Sequence, residues 1–208
     1  GAIARALRAE DFKVIGTSTK GKTNDAVDEM VQLDLTDRNS IKEAASKIRD
    51  ISKDSIDVLY NNAGIIGDRG AMITDIDGAL ELMQVNLLGL MEVTALLLPA
   101  VNKGGLIINM SSGAGDEASL DSFNLGAYNV SKAAVDFYTK SLSRMIESKG
   151  IKAIATDPEW VATDMGGSNA PKRPEAVGAE AVELVNKYDQ LVNGEKYWRA
   201  DLKSRREY

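Results

Sequence analysis

Tyr128 and Lys132 stand four positions apart in a segment whose apolar pattern predicts a helix. This spacing places both side chains on one helix face. A phenol has a pKa of ~10, and a neighbouring ammonium lowers that pKa because it favours the phenolate. The pair could therefore release and return a proton near neutral pH. The spacing alone is weak evidence, because a tyrosine beside a solvated lysine is the commoner meaning of this pattern.

A third side chain, Ser112, could hold a substrate oxygen next to the phenol. It follows a predicted strand, and so do three other polar segments. The four segments are Asp34, residues 61–64, Ser111 with Ser112, and residues 157–163. Ligands of an open parallel sheet bind at the carboxyl ends of its strands. The sequence therefore predicts one site where these segments meet.

The composition excludes several classes of function. The chain has no histidine and no cysteine, which removes Ser-His-Asp hydrolases, thiolate nucleophiles and the usual zinc sites. The missing cysteines fit a reducing, cytoplasmic location. A net charge of −6 and an aromatic content of 5% favour neither nucleic acid nor a membrane surface. We expect a small-molecule ligand and no metal.

Strand and helix patterns alternate along the whole chain. Strands are predicted at 13–16, 30–33, 56–60, 105–110, 151–156 and 196–199. Helices are predicted at 1–8, 77–98, 128–148 and 173–192, and a further helix is predicted to begin at Asp37 or Asn39. Residues 203–208 are expected to fray. Such alternation with short links predicts an α/β fold, in which helices cover both faces of a doubly wound, Rossmann-like parallel sheet. No linker divides the chain, so residues 1–208 are expected to form a single domain.

Five segments together resemble the short-chain dehydrogenase/reductase family, in its order and near its intervals. They are residues 61–64, 85–87, 107–112, 128–132 and 158–165. The likeness covers almost the whole chain and implies a Rossmann-like domain that binds NAD or NADP. Residues 160–167 and 195–198 are similar to the carbonyl-reductase-like branch that includes C-factor and sniffer.

The resemblance implies a role for each catalytic position. Tyr128 would be the general acid and base, and Ser112 would orient the substrate oxygen. Lys132 would bind the nicotinamide ribose and lower the pKa of Tyr128. Asn86 would hold a water molecule that relays protons from Lys132 to solvent, although it could instead be a buried amide satisfied by the backbone.

The resemblance also implies a set of cofactor contacts. Asp34 and Leu35 would contact adenine; Asn61, Ala63 and Gly64 would line the adenosine ribose; Val161 and Thr163 would meet the nicotinamide carboxamide, beside Tyr128 and Lys132. Structural alternatives remain open for two of these groups. Asp34 could cap the following turn, and the asparagines of residues 61–64 could tie neighbouring strands together.

The loop that follows the strand at 13–16 predicts the cofactor. It carries Lys20 and Lys22, and its first acidic residue is Asp25. Basic side chains at this position favour the 2′-phosphate of NADPH, whereas an acidic one would favour NADH. We therefore expect NADPH to bind more tightly than NADH.

Two features depart from the family pattern. Glu159 stands where the family has glycine, which would add bulk and negative charge near the nicotinamide. No glycine-rich phosphate loop occurs, and the strand that should precede it is missing, so the domain is expected to be N-terminally incomplete. Either a preceding strand belongs to the chain, or the strand at 13–16 pairs directly with the strand at 56–60.

The sequence favours an oxidoreductase that interconverts a small-molecule carbonyl and an alcohol. The alternative is a cofactor-free or inactive interaction subunit on the same fold, which Glu159 and the missing loop suggest. A nucleotide binder without hydride chemistry is a third possibility, which the intact Ser112, Tyr128 and Lys132 disfavour. The long helices at 77–98 and 128–148 retain apolar residues beyond one core face, which predicts a homo-oligomer.

Overall fold

In a computed structural model of the chain, the structure describes residues 1–67, 75–120 and 125–198 and the backbone of residues 205–206. Within these residues, seven strands form two sheets. The strands are β1 (Ile15–Ser18), β2 (Glu29–Gln32), β3 (Ile56–Asn61), β4 (Val101–Met110), β5 (Lys152–Thr156), β6 (Lys196–Tyr197) and β7 (Arg205–Arg206). The first sheet contains β1 and β2, which are parallel. The second has the order β3-β4-β5-β6-β7, in which only the β6–β7 pair is antiparallel.

The helices are α1 (Ala2–Ala9), α2 (Arg38–Ser52), α3 (Ile76–Met83), α4 (Leu90–Leu97), α5 (Ala127–Ile146) and α6 (Pro174–Asn186). Side chains of β4 alternate between two layers. Ile107 packs toward α5 in one core cluster, whereas Leu106 and Ile108 pack with Leu184 of α6 in another. Helices therefore cover both faces of the sheet, and the predicted Rossmann-like fold is confirmed.

Helix α1 lies close against α6. A Cβ atom on Gly178 would lie 2.9 Å from the carbonyl oxygen of Ala2, so the absence of a side chain there permits the contact. Helix α2 begins as predicted, because the carboxylate of Asp37 accepts a hydrogen bond from the N–H of Asn39. These two helices hold the first sheet and the N-terminal segment in the domain.

The long helix predicted at 77–98 is present but interrupted. A π-helical turn, Gln84–Gly89, joins α3 to α4 and contains Asn86. The stretch Ile76–Ala100 is long and apolar enough to cross a membrane by length and composition. Its buried side chains Leu90, Val93 and Leu97 recur on one face, and Val93 and Leu97 belong to the core cluster shared with α2. We interpret it as a core helix of the α/β domain.

Two expectations about the C-terminal end are corrected. The segment at 196–199 was expected to be an edge strand, but β6 lies between β5 and β7. Residues 203–208 were expected to fray, but Arg205–Arg206 pair with Lys196 and Tyr197. Pairing with β7 satisfies backbone groups that β6 would otherwise leave open at the sheet edge.

Among the described residues, the two sheets are not joined by hydrogen bonds between β1 and β3. Strand β1 is hydrogen-bonded to β2, and β3 to β4, with no ladder between β1 and β3 in the part of the chain that the structure describes. Direct pairing of these two strands, one of the two arrangements predicted from the sequence, is therefore not adopted.

Candidate active site

Ser112 and Tyr128 meet at the carboxyl end of β4. Ser112 follows the strand and caps a short 3-10 turn, where its Oγ accepts a hydrogen bond of 3.1 Å from the N–H of Ala114. Tyr128 lies in the first turn of α5 and is 7% exposed. The Ser112 hydroxyl lies close enough to the phenol to lower its pKa, and both residues line the same cavity. The fold therefore brings together the serine and the tyrosine named from the sequence.

Lys132 lies one turn further along α5 and is buried. Its Nζ donates a hydrogen bond of 2.9 Å to the carbonyl oxygen of Met110 and lies 5.7 Å from the centroid of the Tyr128 ring. Burial lowers the pKa of Lys132 to about 8, partly opposed by the carboxylate of Asp136. The ammonium is thus held beside the tyrosine by a backbone acceptor.

The expected effect of this ammonium on the tyrosine is not found. Burial raises the pKa of Tyr128, the hydrogen bond with Ser112 lowers it in part, and the negative charge of Asp157 adds to the rise. Desolvation of the phenolate is therefore the largest effect on this pKa, and the hydrogen bond of Lys132 goes to a carbonyl oxygen instead of the phenol.

Asn86 fastens the segment that follows β3. Its Oδ1 accepts from the N–H of Ile65 at 2.8 Å, and its Nδ2 donates to the carbonyl oxygen of Ile65 and to Oγ of Ser131. A Cβ on Gly64 would lie 3.2 Å from Oδ1 of Asn86 and 3.4 Å from Nζ of Lys132. The backbone at Gly64 therefore passes close to both side chains. The proton relay through Asn86 stays a prediction.

A cavity of about 1200 Å³ opens in front of Ser112 and Tyr128. Most of the predicted cofactor residues line it, namely Asp34, Leu35, Ala63, Gly64, Tyr128, Val161 and Thr163. The N-terminal residues of α1 and residues 17–19 also line it. Its volume slightly exceeds the ~300–1,000 Å³ of ordinary small-molecule sites, which is appropriate for a cofactor and a substrate together.

The side chain of Asn61 is used inside the fold, and its contact with the adenosine ribose stays a prediction. Its Nδ2 donates to Oγ1 of Thr94 at 2.9 Å and to Oδ1 of Asn109 at 2.8 Å. Asn109 in turn donates to Oγ1 of Thr139. This network ties β3 and β4 to the helices, and the exposed neighbour Asn62 lines the cavity instead.

Asp34 forms the turn that follows β2, and its contact with adenine stays a prediction. Its Oδ1 accepts from the backbone N–H and the hydroxyl of Thr36, at 2.9 and 2.6 Å, and these bonds lower the pKa of the carboxyl group. The residue therefore shapes the turn after β2 while it also lines the cavity.

The segment after β5 folds back on itself at the cavity wall. Val161 forms an isolated β-bridge with Lys172, and Oγ1 of Thr163 accepts from the N–H of Gly166 at 3.1 Å. Glu159 has a φ of 64°, in the left-handed region that glycine adopts easily. Its carboxylate pairs with Lys172 at 3.0 Å, so the side chain is directed to an ammonium of its own loop.

Residues 1–174 match the short chain dehydrogenase family. The chain belongs to this family of oxidoreductases. It is 32% identical over 173 residues to the reductase FabG of Haemophilus influenzae, covering 79% of this chain and 70% of that protein. It is 34% identical over 119 residues to C-signal of Myxococcus xanthus, covering 55% and 71%.

Solved structures show the same relationship. A putative short-chain dehydrogenase/reductase from Burkholderia multivorans with bound NADP superposes with a TM-score of 0.83 at 25% identity, covering 96% of this chain and 91% of that one. Carbonyl reductase Sniffer of D. melanogaster gives 0.79 at 26% identity, covering 94% and 90%. These likenesses support the carbonyl-reductase-like branch of the short-chain dehydrogenase family.

The cavity of this short-chain dehydrogenase fits a nicotinamide dinucleotide. Gly64 lines the cavity and has no side chain that would keep a ring or sugar from its backbone. The first turn of α1, at Gly1–Ile3, lines the same cavity, and the N–H groups of a helix's first turn favour a phosphate. Asp34 and Leu35, which follow β2, line it as well.

Sequence reasoning missed the group that holds Lys132. The carbonyl oxygen of Met110 fixes Nζ of Lys132, and a backbone acceptor leaves no signature in the sequence. Reasoning from the sequence also missed Lys196, whose buried ammonium contacts the backbone of Ser112. A lysine inside a short apolar strand is the signal that could have revealed it, since buried lysines are rare without partners.

Proposed function

We propose that this chain is an NADPH-dependent carbonyl reductase that interconverts a small-molecule carbonyl compound and an alcohol. The observation that carries the proposal is that Ser112 and Tyr128 lie together at the wall of the cavity, with the Ser112 hydroxyl close enough to lower the pKa of the phenol and the ammonium of Lys132 beside the ring. This arrangement can orient one substrate oxygen and exchange a proton with it.

In the reductive direction, Ser112 and Tyr128 both donate hydrogen bonds to the carbonyl oxygen of the substrate. Bound NADPH supplies the hydride that the carbonyl carbon accepts. The phenol of Tyr128 gives its proton to the oxygen as negative charge develops there. The high pKa of Tyr128 suits this direction, because the phenol is protonated at neutral pH.

Lys132 has two tasks in this scheme. Its Nζ lies beside Gly64, where it would donate to the ribose hydroxyls of the cofactor. Its positive charge would also stabilise the phenolate that remains after proton transfer. Asn86 holds the adjoining backbone at Ile65, and the water that returns a proton through Lys132 would lie near this amide.

Three observations support NADPH over NADH. Lys20 and Lys22 are exposed on the turn next to residues 17–19, which line the cavity. The relative from Burkholderia multivorans contains NADP. A carbonyl reductase from chicken fatty liver that is 28% identical contains NADPH.

The proposed enzyme is a cytoplasmic homo-oligomer. Helix α5 exposes three large apolar side chains on its outer face, Val130, Phe137 and Met145, which are 54%, 77% and 73% exposed. A second copy would bury this stripe. Light scattering at micromolar concentration should show a dimer or tetramer, and a clean monomer would contradict this part of the proposal.

Fluorescence titration with NADPH and NADH tests the function. We expect saturable binding, and turnover of aldehydes and ketones followed as loss of NADPH absorbance. Tyr128→Phe should abolish turnover while NADPH still binds, because only one hydroxyl group is lost. Tyr138→Phe is the matched control, since it removes a tyrosine hydroxyl from the same helix, α5, at a residue that does not line the cavity.

The alternative is a cofactor-free interaction subunit, which the substitution of glutamate for glycine at Glu159 suggests. No binding at millimolar NADPH or NADH would favour this alternative. If Tyr128→Phe instead bound NADPH and turned over fully, the chain would still be a cofactor-binding enzyme. Tyr128 would then not be its general acid and base.

A further inference from the structure

Lys196 is a buried lysine whose three N–H donors are all used. The side chain is 1% exposed. Its Nζ donates to the carbonyl oxygen of Ser112, to Oδ1 of Asp116 and to Oδ2 of Asp136, each at 2.7 Å. An ammonium has three N–H donors, so these bonds exhaust them. A lysine this deeply buried is rare unless it is paired.

The three acceptors lie on separate parts of the site. Ser112 follows β4, Asp116 ends the short turn after it, and Asp136 lies on α5 one turn beyond Lys132. Lys196 itself lies on β6, hydrogen-bonded to β5. One ammonium therefore joins the serine loop and the tyrosine helix to the sheet.

The contact with Ser112 bears on its hydroxyl. The carbonyl oxygen of Ser112 accepts from the N–H of Gly115 at 3.0 Å as well as from Lys196. Its Oγ accepts from the N–H of Ala114. Hydrogen bonds thus hold both the carbonyl group and the side-chain oxygen of Ser112 within the turn. In these bonds Oγ is an acceptor, so its hydroxyl proton can face Tyr128.

We propose that Lys196 is a positioning residue for the reaction, which fixes the loop 112–116 against α5 so that the Ser112 hydroxyl stays in line with Tyr128. The inference rests on the proposed reductase function for its effect on turnover. The structural part, an ammonium that orders the loop, stands without that function. Lys196 touches no reacting atom and acts through Ser112.

The chain offers a matched control in Lys152. Its Nζ also donates to two backbone carbonyl oxygens, those of Tyr188 and Leu191, at 2.7 and 2.9 Å. It lies at the start of β5, and neither it nor its acceptors line the cavity. Lys152→Met therefore removes a comparable structural lysine while leaving the serine loop untouched.

The first measurement is hydrogen–deuterium exchange of the amides of Ala114 and Gly115, which needs no activity. We expect exchange at least tenfold faster in Lys196→Met than in the wild type, and unchanged exchange in Lys152→Met. Lys196→Met leaves the carboxylates of Asp116 and Asp136 without the ammonium that neutralises them. The double variant Lys196→Met/Asp136→Asn is therefore measured as well, because it removes one buried charge of each sign. Unchanged exchange in the folded double variant would overturn the proposal.

The second measurement is turnover of an aldehyde by NADPH, per mole of folded enzyme. We expect kcat to fall at least tenfold in both Lys196 variants, with the Kd for NADPH within twofold of wild type and with Lys152→Met unchanged. Faster exchange with an unchanged kcat would reject the positioning role. The Lys196 variants could also exchange faster while the wild type reduces no carbonyl compound. That result would reject the proposed function, but Lys196 would still be the residue that orders the loop.

Discussion

The carboxylate of Glu159 lies 3.0 Å from the ammonium of Lys172, while the backbone of Glu159 has a φ of 64°. A left-handed backbone costs a non-glycine residue about 1–2 kcal/mol. The backbone N–H of Glu159 donates to Oδ1 of Asp157 at 2.9 Å, which helps to hold this conformation.

Replacing Glu159 should separate backbone strain from the ion pair. Glu159→Ala and Glu159→Gly both lose the carboxylate, and Lys172 keeps its pair with Glu180 at 2.7 Å. Glycine alone relieves the left-handed backbone, so Glu159→Gly should be about 1 kcal/mol more stable than Glu159→Ala. Urea denaturation of the two variants measures the difference, and an alanine variant of equal stability would show that φ is not strained.

Lys132 should make stability depend on pH in the alkaline range. Its pKa is about 8 in the folded protein and ordinarily near 10.5. Between these values the unfolded chain holds one proton more than the folded chain, so the free energy of unfolding rises with pH. The rise should not exceed about 3 kcal/mol.

The control for this effect is Lys132→Met, which keeps the length of the side chain and cannot titrate. Urea denaturation at pH 7.5 to 9.5 measures the free energy of unfolding of both proteins. As pH rises, the value for the wild type should increase relative to the value for the variant. A difference that stays constant over this range would mean that the ammonium is not desolvated.

The sequence predicted the parts of the site that depend on local spacing. Tyr128 and Lys132 share a face because they are one helical turn apart, and Asp37 begins α2 as a capping residue does. It could not predict how long-range contacts use polar groups. Asn61 lies next to residues that line the cavity, yet its partners are Thr94 and Asn109, 33 and 48 positions away.

Burial limited the prediction of the chemistry in a similar way. The sequence places Lys132 near Tyr128 and so suggests a lowered tyrosine pKa. The fold buries the phenol and directs the ammonium to the carbonyl oxygen of Met110, and the pKa rises instead. The pairing of Arg205–Arg206 with β6 is likewise a tertiary contact that leaves no local pattern.

Removing two exposed charges should change the choice of cofactor. Lys20→Ala/Lys22→Ala should weaken NADPH binding roughly tenfold, because two surface ion pairs with the 2′-phosphate contribute up to about 1 kcal/mol each. NADH, which lacks this phosphate, should bind within twofold of its wild-type affinity. The control is Lys42→Ala/Lys47→Ala, which removes two exposed lysines of α2. An equal loss for both cofactors would place the 2′-phosphate elsewhere.

Two neighbouring asparagines should respond in opposite ways to the same change. Asn61→Ala leaves the buried Oδ1 of Asn109 without its donor, and an unsatisfied buried acceptor costs about 1–3 kcal/mol. Its melting temperature should fall clearly, while the folded fraction still binds NADPH. Asn62 is exposed and lines the cavity, so Asn62→Ala should melt within about 1 °C of wild type, as most surface substitutions do, and bind NADPH more weakly. Calorimetry and fluorescence titration of both variants give the two readouts.

If Asn61→Ala lost cofactor affinity at unchanged stability, Asn61 would belong to the binding surface, as the resemblance first implied. The network with Thr94 and Asn109 would then be incidental.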